Sequence, residues 1–139
     1  MSTDINFTVQ VSGRPSDDIA AAFEVEFGTS YTVGGETPES GEPSCAGYGG
    51  SVWFTWIANR SGLVELNTVG SSYDTVLSVY LRSGGSPTTA NPGELQACND
   101  DSGGLQSQIQ FSAIYGQIYY IQVLQYRGSA PGTLKINLN

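Results

Sequence analysis

The sequence predicts an all-β fold: an antiparallel two-sheet sandwich of about eight strands, with jelly-roll-like topology. Three observations lead there. Apolar and polar residues alternate with period 2 in nearly every ordered-looking stretch. Gly- and Pro-rich turn sequences separate those stretches at short intervals. Only 13% of the 139 residues are charged, about half the globular average, so long charged helices have little to be made from. Such a set of short strands buries its apolar faces by stacking two sheets. An up-and-down barrel is the alternative closure.

The elements follow in chain order. "INFTVQV" turns Ile5, Phe7, Val9 and Val11 one way and Asn6, Thr8 and Gln10 the other. "SDDIAAAF" is the one helix-like piece, with Ser16 as the cap of a short turn. "AFEVEF" alternates Phe23, Val25 and Phe27 with Glu24 and Glu26. "SVWFTWIA" is apolar on both faces and reads as a central strand covered on both sides, with Trp53, Phe54 and Trp56 in the core. "LVELNT" points Val64 and Leu66 inward, and "TVLSVYL" does the same with Leu77, Val79 and Leu81. "SQIQFSA" gives Ile109 and Phe111 to the core and Gln108 and Gln110 to water. "QIYYIQVLQ" sets Tyr119, Ile121 and Val123 against Ile118, Tyr120, Gln122 and Leu124. "TLKINL" buries Leu134, Ile136 and Leu138. The echo between "NFTVQVSG" and "TLKINLN" gives residues 1–14 two readings, the leading strand of the sandwich or the end of a preceding repeat. Residues 15–139 form the domain.

Five basic residues against 13 acids give a formal net charge of −8. That surface repels phosphates and anionic lipid, so neither nucleic acid nor membrane is expected as a partner. There is no apolar run of about 18 residues to span a bilayer. The opening "MSTDINFTVQVSG" lacks both a basic and an apolar region, so it does not read as a signal peptide. The chain is expected to be a piece of a longer exported protein.

The segments "PSDDIAAA", "ETPESGEPSCAG", "SVWFTWIANRSGLVELNT", "GSSYDTVLSVYL", "ACNDDSGG", "SQIQFSA", "GQIYYIQV" and "GTLKINL" occur in that order. As an ordered set they resemble the bacterial pre-peptidase C-terminal domain family, over roughly Pro15 to Asn139. The resemblance implies a jelly-roll module without catalysis of its own, carried by secreted or cell-surface proteins as an accessory or adhesive part. Some relatives, in collagenases, bind collagen and calcium.

Within that frame the two cysteines, Cys45 and Cys98, pair as expected of an exported protein. The closed loop is worth about 4 kcal/mol by chain entropy. Two unrelated buried thiols are the alternative. Asp74 in "SSYDT" and Asp100 and Asp101 in "CNDDSGG" are the family-typical acids. They either build Asx-turns or, with Asp17, hold calcium through hard oxygen ligands. The EF-hand pattern is absent, because no Glu lies at its twelfth position. In calcium-binding relatives an Asn-Asp pair opens the domain. Here Ser16 and Asp17 stand there, and the acidic Glu-x-Glu upstream is replaced by "VSGRP".

No catalytic residues are expected. The chain has no histidine, which removes the commonest general base. Asp100 and Asp101 are neighbours in one loop, whereas a glycosidase pair faces across about 5 to 9.5 Å from different elements. No cofactor is expected beyond that possible calcium. Parity places Tyr120, Gln122 and Tyr126 together on the sheet face opposite Tyr119 and Ile121, as a surface for a sugar or peptide. The alternative is that these rings only cover the sheet. A key exposed tyrosine of collagen-binding relatives matches Leu124, which does not support collagen. The sequence thus predicts a non-catalytic module that binds an extracellular protein or polysaccharide beside the neighbouring domains of its parent chain. A carbohydrate-binding module and a purely structural spacer repeat of an adhesin are the rivals.

Overall fold

Most strands form where the sequence pattern puts them, and in β4 and β7 burial follows the same parity. The computed structural model describes residues 18–33, 42–45, 49–82, 87–88, 91–100, 106–126 and 132–139. The "INFTVQV" strand, Ser16, Asp17 and Asp101 lie outside them, as does the boundary at residue 14.

The described residues form a 3-10 turn at Ile19–Ala21 and ten strands. These are β1 (Phe23–Glu24), β2 (Ser30–Val33), β3 (Ser51–Ile57), β4 (Gly62–Asn67), β5 (Thr75–Leu81), β6 (Glu94–Asn99), β7 (Gln108–Ala113), β8 (Ile118–Gln125), β9 (Gly132–Lys135) and β10 (Asn137–Leu138). One sheet runs β1-β3-β8-β5-β6. Opposite it lie β10-β4-β7 and β2-β9. Only Ile136 separates β9 from β10, so together they give a second layer ordered β2-β9/β10-β4-β7. Leaving β1 aside, eight strands fall into two four-stranded layers whose order is that of a jelly roll. The expected all-β sandwich is present.

Four details differ from the sequence reading. β2 and β6 were not anticipated. β6 has no alternation to find, since "ELQACN" is exposed or half-buried throughout. "AFEVEF" yields only the two-residue β1, which runs parallel to β3, so the sandwich is not wholly antiparallel. "TLKINL" breaks at Ile136. There the Ser71 hydroxyl takes both backbone groups of Lys135, accepting from its N–H at 2.9 Å and donating to its carbonyl at 3.2 Å. The helical turn is capped by Asp18, whose Oδ1 accepts from the Ala20 N–H at 3.0 Å. The spacing from Asp18 suits a three-residue turn better than that from Ser16.

The core lies between the layers. Val52, Phe54 and Trp56 of β3, Leu77 and Val79 of β5, and Tyr119, Ile121 and Val123 of β8 meet Val64, Leu66, Ile109, Phe111, Leu134 and Ile136. Trp56 is its aromatic hub. It stands edge-on to Phe111 at 6.3 Å and 5.8 Å from Tyr119, and Phe27 meets it edge-on from the rim at 6.1 Å. Such pairs add about 0.5–1.5 kcal/mol each beyond area burial.

Candidate functional site

β3 is buried on both faces, as its apolar run predicts, and so are β5 and β8. Strand register puts Trp53, Gln122, Ser78 and Cys98 in one row across the outer face of the first layer. The segment Glu42–Cys45 lies over this row. Gln122 Nε2 donates to Glu42 Oε2 at 2.8 Å and to the Pro43 carbonyl at 2.9 Å. Gln122 Oε1 accepts from the Tyr80 hydroxyl at 3.4 Å, and the Ser51 hydroxyl also donates to Glu42. Cys45 is joined to Cys98 by a disulfide, at a sequence separation of 53. One row further, Ile19 of the 3-10 turn packs with Trp53, Tyr80 and Tyr120.

The face proposed from parity is therefore not open. Tyr120 is 7% exposed and Gln122 fully buried, because a chain segment and a helical turn cover them. Tyr126 is half-buried in the turn after β8, its N–H donating to the Asp74 carbonyl at 2.9 Å. Tyr120 does line a cleft of about 260 Å³ with Thr55, Arg82 and Ile19. Burial pushes the Tyr80 hydroxyl above its ordinary pKa, and the nearby Glu42 carboxylate adds to that.

Of the four candidate metal ligands, the structure describes Asp74 and Asp100. It brings them to the same end of adjacent strands, just before β5 and just after β6, where Leu77 pairs with Asn99. Each has one carboxylate oxygen buried. A buried hydroxyl cluster ties this end together. The hydroxyls of Thr68 and Thr75 are 2.7 Å apart, and that of Ser107 is 3.1 Å from Thr75. Ser107 donates to the Thr75 and Asp100 carbonyls, and its N–H donates to Thr68. Among the described residues no three His, Cys, Asp or Glu side chains come together as a metal centre.

The open sheet face is on the other layer. The inward side chains of β4, β7 and β10 fill the core. Their outward partners are Leu63 with Ser112, Glu65 with Gln110, and Asn67 with Gln108 and Asn137. Glu65 also exchanges backbone hydrogen bonds with Asn139, at 3.1 and 2.9 Å. This face is rich in amides and has Glu65 as the one charge among these residues. At its edge a groove of about 500 Å³ is lined by Phe27, Asn67, Val69, Asn137, Leu138 and Asn139.

The amides are locked. Asn67 Oδ1 accepts from the Val69 N–H at 3.1 Å and from Asn137 Nδ2 at 2.9 Å. Asn137 Nδ2 also donates to the Val69 carbonyl at 2.9 Å. Asn67 Nδ2 and Asn139 Nδ2 both donate to Glu65 Oε2 at 3.1 Å. Four of the six amide protons are used, which leaves one on Asn67 Nδ2 and one on Asn139 Nδ2; Asn137 Oδ1, Asn139 Oδ1 and Glu65 Oε1 likewise have no partner among the described residues. Sequence reasoning missed this groove. The parity of "LVELNT" and "KINLN" was visible, but nothing in it says that β10 lies beside β4.

No family model and no curated protein matches the chain. Among solved structures it is similar to the pre-peptidase C-terminal domain of collagenase from Bacillus anthracis, at 14% identity and a TM-score of 0.49, over 85% of this chain and 94% of that one. It is also similar to Aeromonas hydrophila PliG, a periplasmic lysozyme inhibitor of g-type lysozyme. That match is at 23% identity and a TM-score of 0.46, over 85% of this chain and 96% of that one.

Proposed function

We propose that this chain is a non-catalytic accessory module of a larger exported protein, which binds an extracellular macromolecule, protein or polysaccharide. The observation that carries the reading is the outer face of β10-β4-β7. It is open, amide-rich and almost uncharged, with a groove at its edge. A surface of this kind holds a polymer through many fixed hydrogen bonds and offers no nucleophile–base pair to attack it. The lack of histidine in the chain agrees with that. The Cys45–Cys98 disulfide supports an oxidising compartment, secreted or at the cell surface.

The test is a binding array of polysaccharides and matrix proteins probed with the isolated chain, run beside peptidase and glycosidase substrate panels. Saturable binding to at least one polymer without turnover is the expected result. Absence of binding across the array would replace this reading with that of a spacer. Turnover abolished by a single Asp substitution in a folded chain would replace it with an enzyme.

A further inference from the structure

We infer that the groove between Phe27 and Asn137 binds a neutral glycan chain. The inference deepens the binding-module reading above and rests on it. Three features of the groove select the ligand.

The first is hydrogen-bond polarity. The network of Asn67, Asn137, Asn139 and Glu65 spends four of its six amide protons internally and leaves three oxygens without a partner among the described residues. Which amide atom is oxygen and which nitrogen follows from those partners. The Val69 N–H and carbonyl fix Asn67 and Asn137, and over the whole network two unspent N–H protons stand against three unpartnered oxygens. A ligand that satisfies them must bring several donors close together. A sugar ring carries hydroxyls on neighbouring carbons, each with one proton to give. A peptide backbone offers one N–H per residue, spaced along the chain rather than clustered.

The second feature is an apolar wall. Phe27 lines the groove with Val69 and Leu138. Its ring is held edge-on by Trp56 at 6.1 Å, and Val69 is 61% exposed. A ring with polar edges and C–H faces matches a groove lined by amides and by hydrocarbon. Both sides are in place before any ligand arrives, which lowers the ordering cost of binding.

The third feature is charge. Glu65 is the one ionised side chain among the four, the Arg60 guanidinium donates to the Asn139 carbonyl beside it, and the chain carries −8 overall. An acidic glycan would be repelled. A divalent cation would find one carboxylate here, where hard-cation sites use several oxygen ligands around the ion. A neutral, hydroxyl-rich chain is left, and a groove of about 500 Å³ has room for a short stretch of one.

The experiment titrates the isotope-labelled chain with neutral hexasaccharides of glucose, xylose, mannose and N-acetylglucosamine, following backbone and side-chain amide signals by NMR. Expected is saturable perturbation confined to Phe27, Asn67, Val69, Asn137 and Asn139 with at least one probe. Affinity should fall at least tenfold in Asn137→Ala. Asn139→Ala keeps the fold safe, because that side chain makes a single hydrogen bond, and it should weaken binding several-fold. Tyr115→Ala, at the opposite end of the sheet, should change nothing.

Perturbation mapping elsewhere, or affinity unchanged in both asparagine variants, overturns the inference and leaves the binding-module reading standing. So does binding of a matrix protein, but of no hexasaccharide, through the groove. If no hexasaccharide binds, the inference falls. The module reading is then judged by the array alone.

Discussion

Gln122 shows how a residue can be read correctly for parity and wrongly for exposure. Its strand position was legible: it stands opposite Ile121 and Val123, as alternation requires. What lies over it was not, because Glu42 and Pro43 belong to a loop with no periodic pattern. In the fold its amide is fully used, with two protons given to Glu42 and Pro43 and its oxygen taken by Tyr80. Gln122→Leu keeps much of the volume but leaves a carboxylate, a carbonyl and a hydroxyl without this partner. We expect a loss of about 2–3 kcal/mol in urea unfolding. A change below about 0.5 kcal/mol would mean that the segment is not held there.

Tyr31 and Tyr80 tie stability to alkaline pH. Burial raises both pKa values above about 10, since a phenolate is costly away from water; Glu42 adds to the rise at Tyr80, while the Glu26 N–H bonded to the Tyr31 hydroxyl works against it there. Both rings are neutral in the fold, while the unfolded chain ionises at the ordinary value. Their stabilising contribution is complete below pH about 10 and is lost as the pH climbs through the raised values. Urea midpoints should therefore hold steady up to pH 9.5 and fall above 10. The fall should be shallower in Tyr80→Phe. A slope unchanged by that substitution would contradict the assignment.

We propose an architectural role for Asp74 and Asp100, whose carbonyls are engaged by Tyr126 and Ser107 at the end of β5 and β6. Melting in millimolar calcium and in chelator should then agree. A midpoint that rises several degrees with calcium, and does not in Asp100→Asn, would make the pair a cation site.

At the scale of elements, the alternating strands β4 and β7 and the apolar-rich strands β3, β5 and β8 were legible to within a residue or two. β6 was not, because its place is set by pairing with β5 and by a covalent bond rather than by burial. Cys98 fastens this edge strand to Cys45, and so fastens the cover over the Trp53–Gln122 row. Closing a loop of 53 residues is worth about 4 kcal/mol by chain entropy. Reduction, or Cys45→Ser with Cys98→Ser, should lower unfolding stability by roughly that amount. Limited proteolysis should then begin in the 42–45 segment while the five strands above stay protected. Two free thiols by mass in oxidised material would contradict the staple.

For the whole molecule, two sheets leave two outer faces, and the fold treats them differently. The first layer is covered by the 3-10 turn and by the stapled loop. The second layer is left with Gln108, Gln110, Ser112, Glu65 and Asn139 toward solvent or half-buried. Sequence patterning foretold a jelly roll with one face for ligands, but period 2 is blind to which sheet keeps its outer face bare. Glu65 and Gln110 stand directly opposite on that face. In Gln110→Arg a guanidinium would pair with Glu65, withdraw its free oxygen and add bulk to the surface. The most direct measurement is the affinity of wild type and Gln110→Arg for whichever polymer the array identifies, with melting curves to confirm an intact fold. Binding through the second layer predicts at least a tenfold loss in Gln110→Arg at unchanged stability. Equal affinity in the two proteins would contradict the account and return the search to the cleft beside Tyr120.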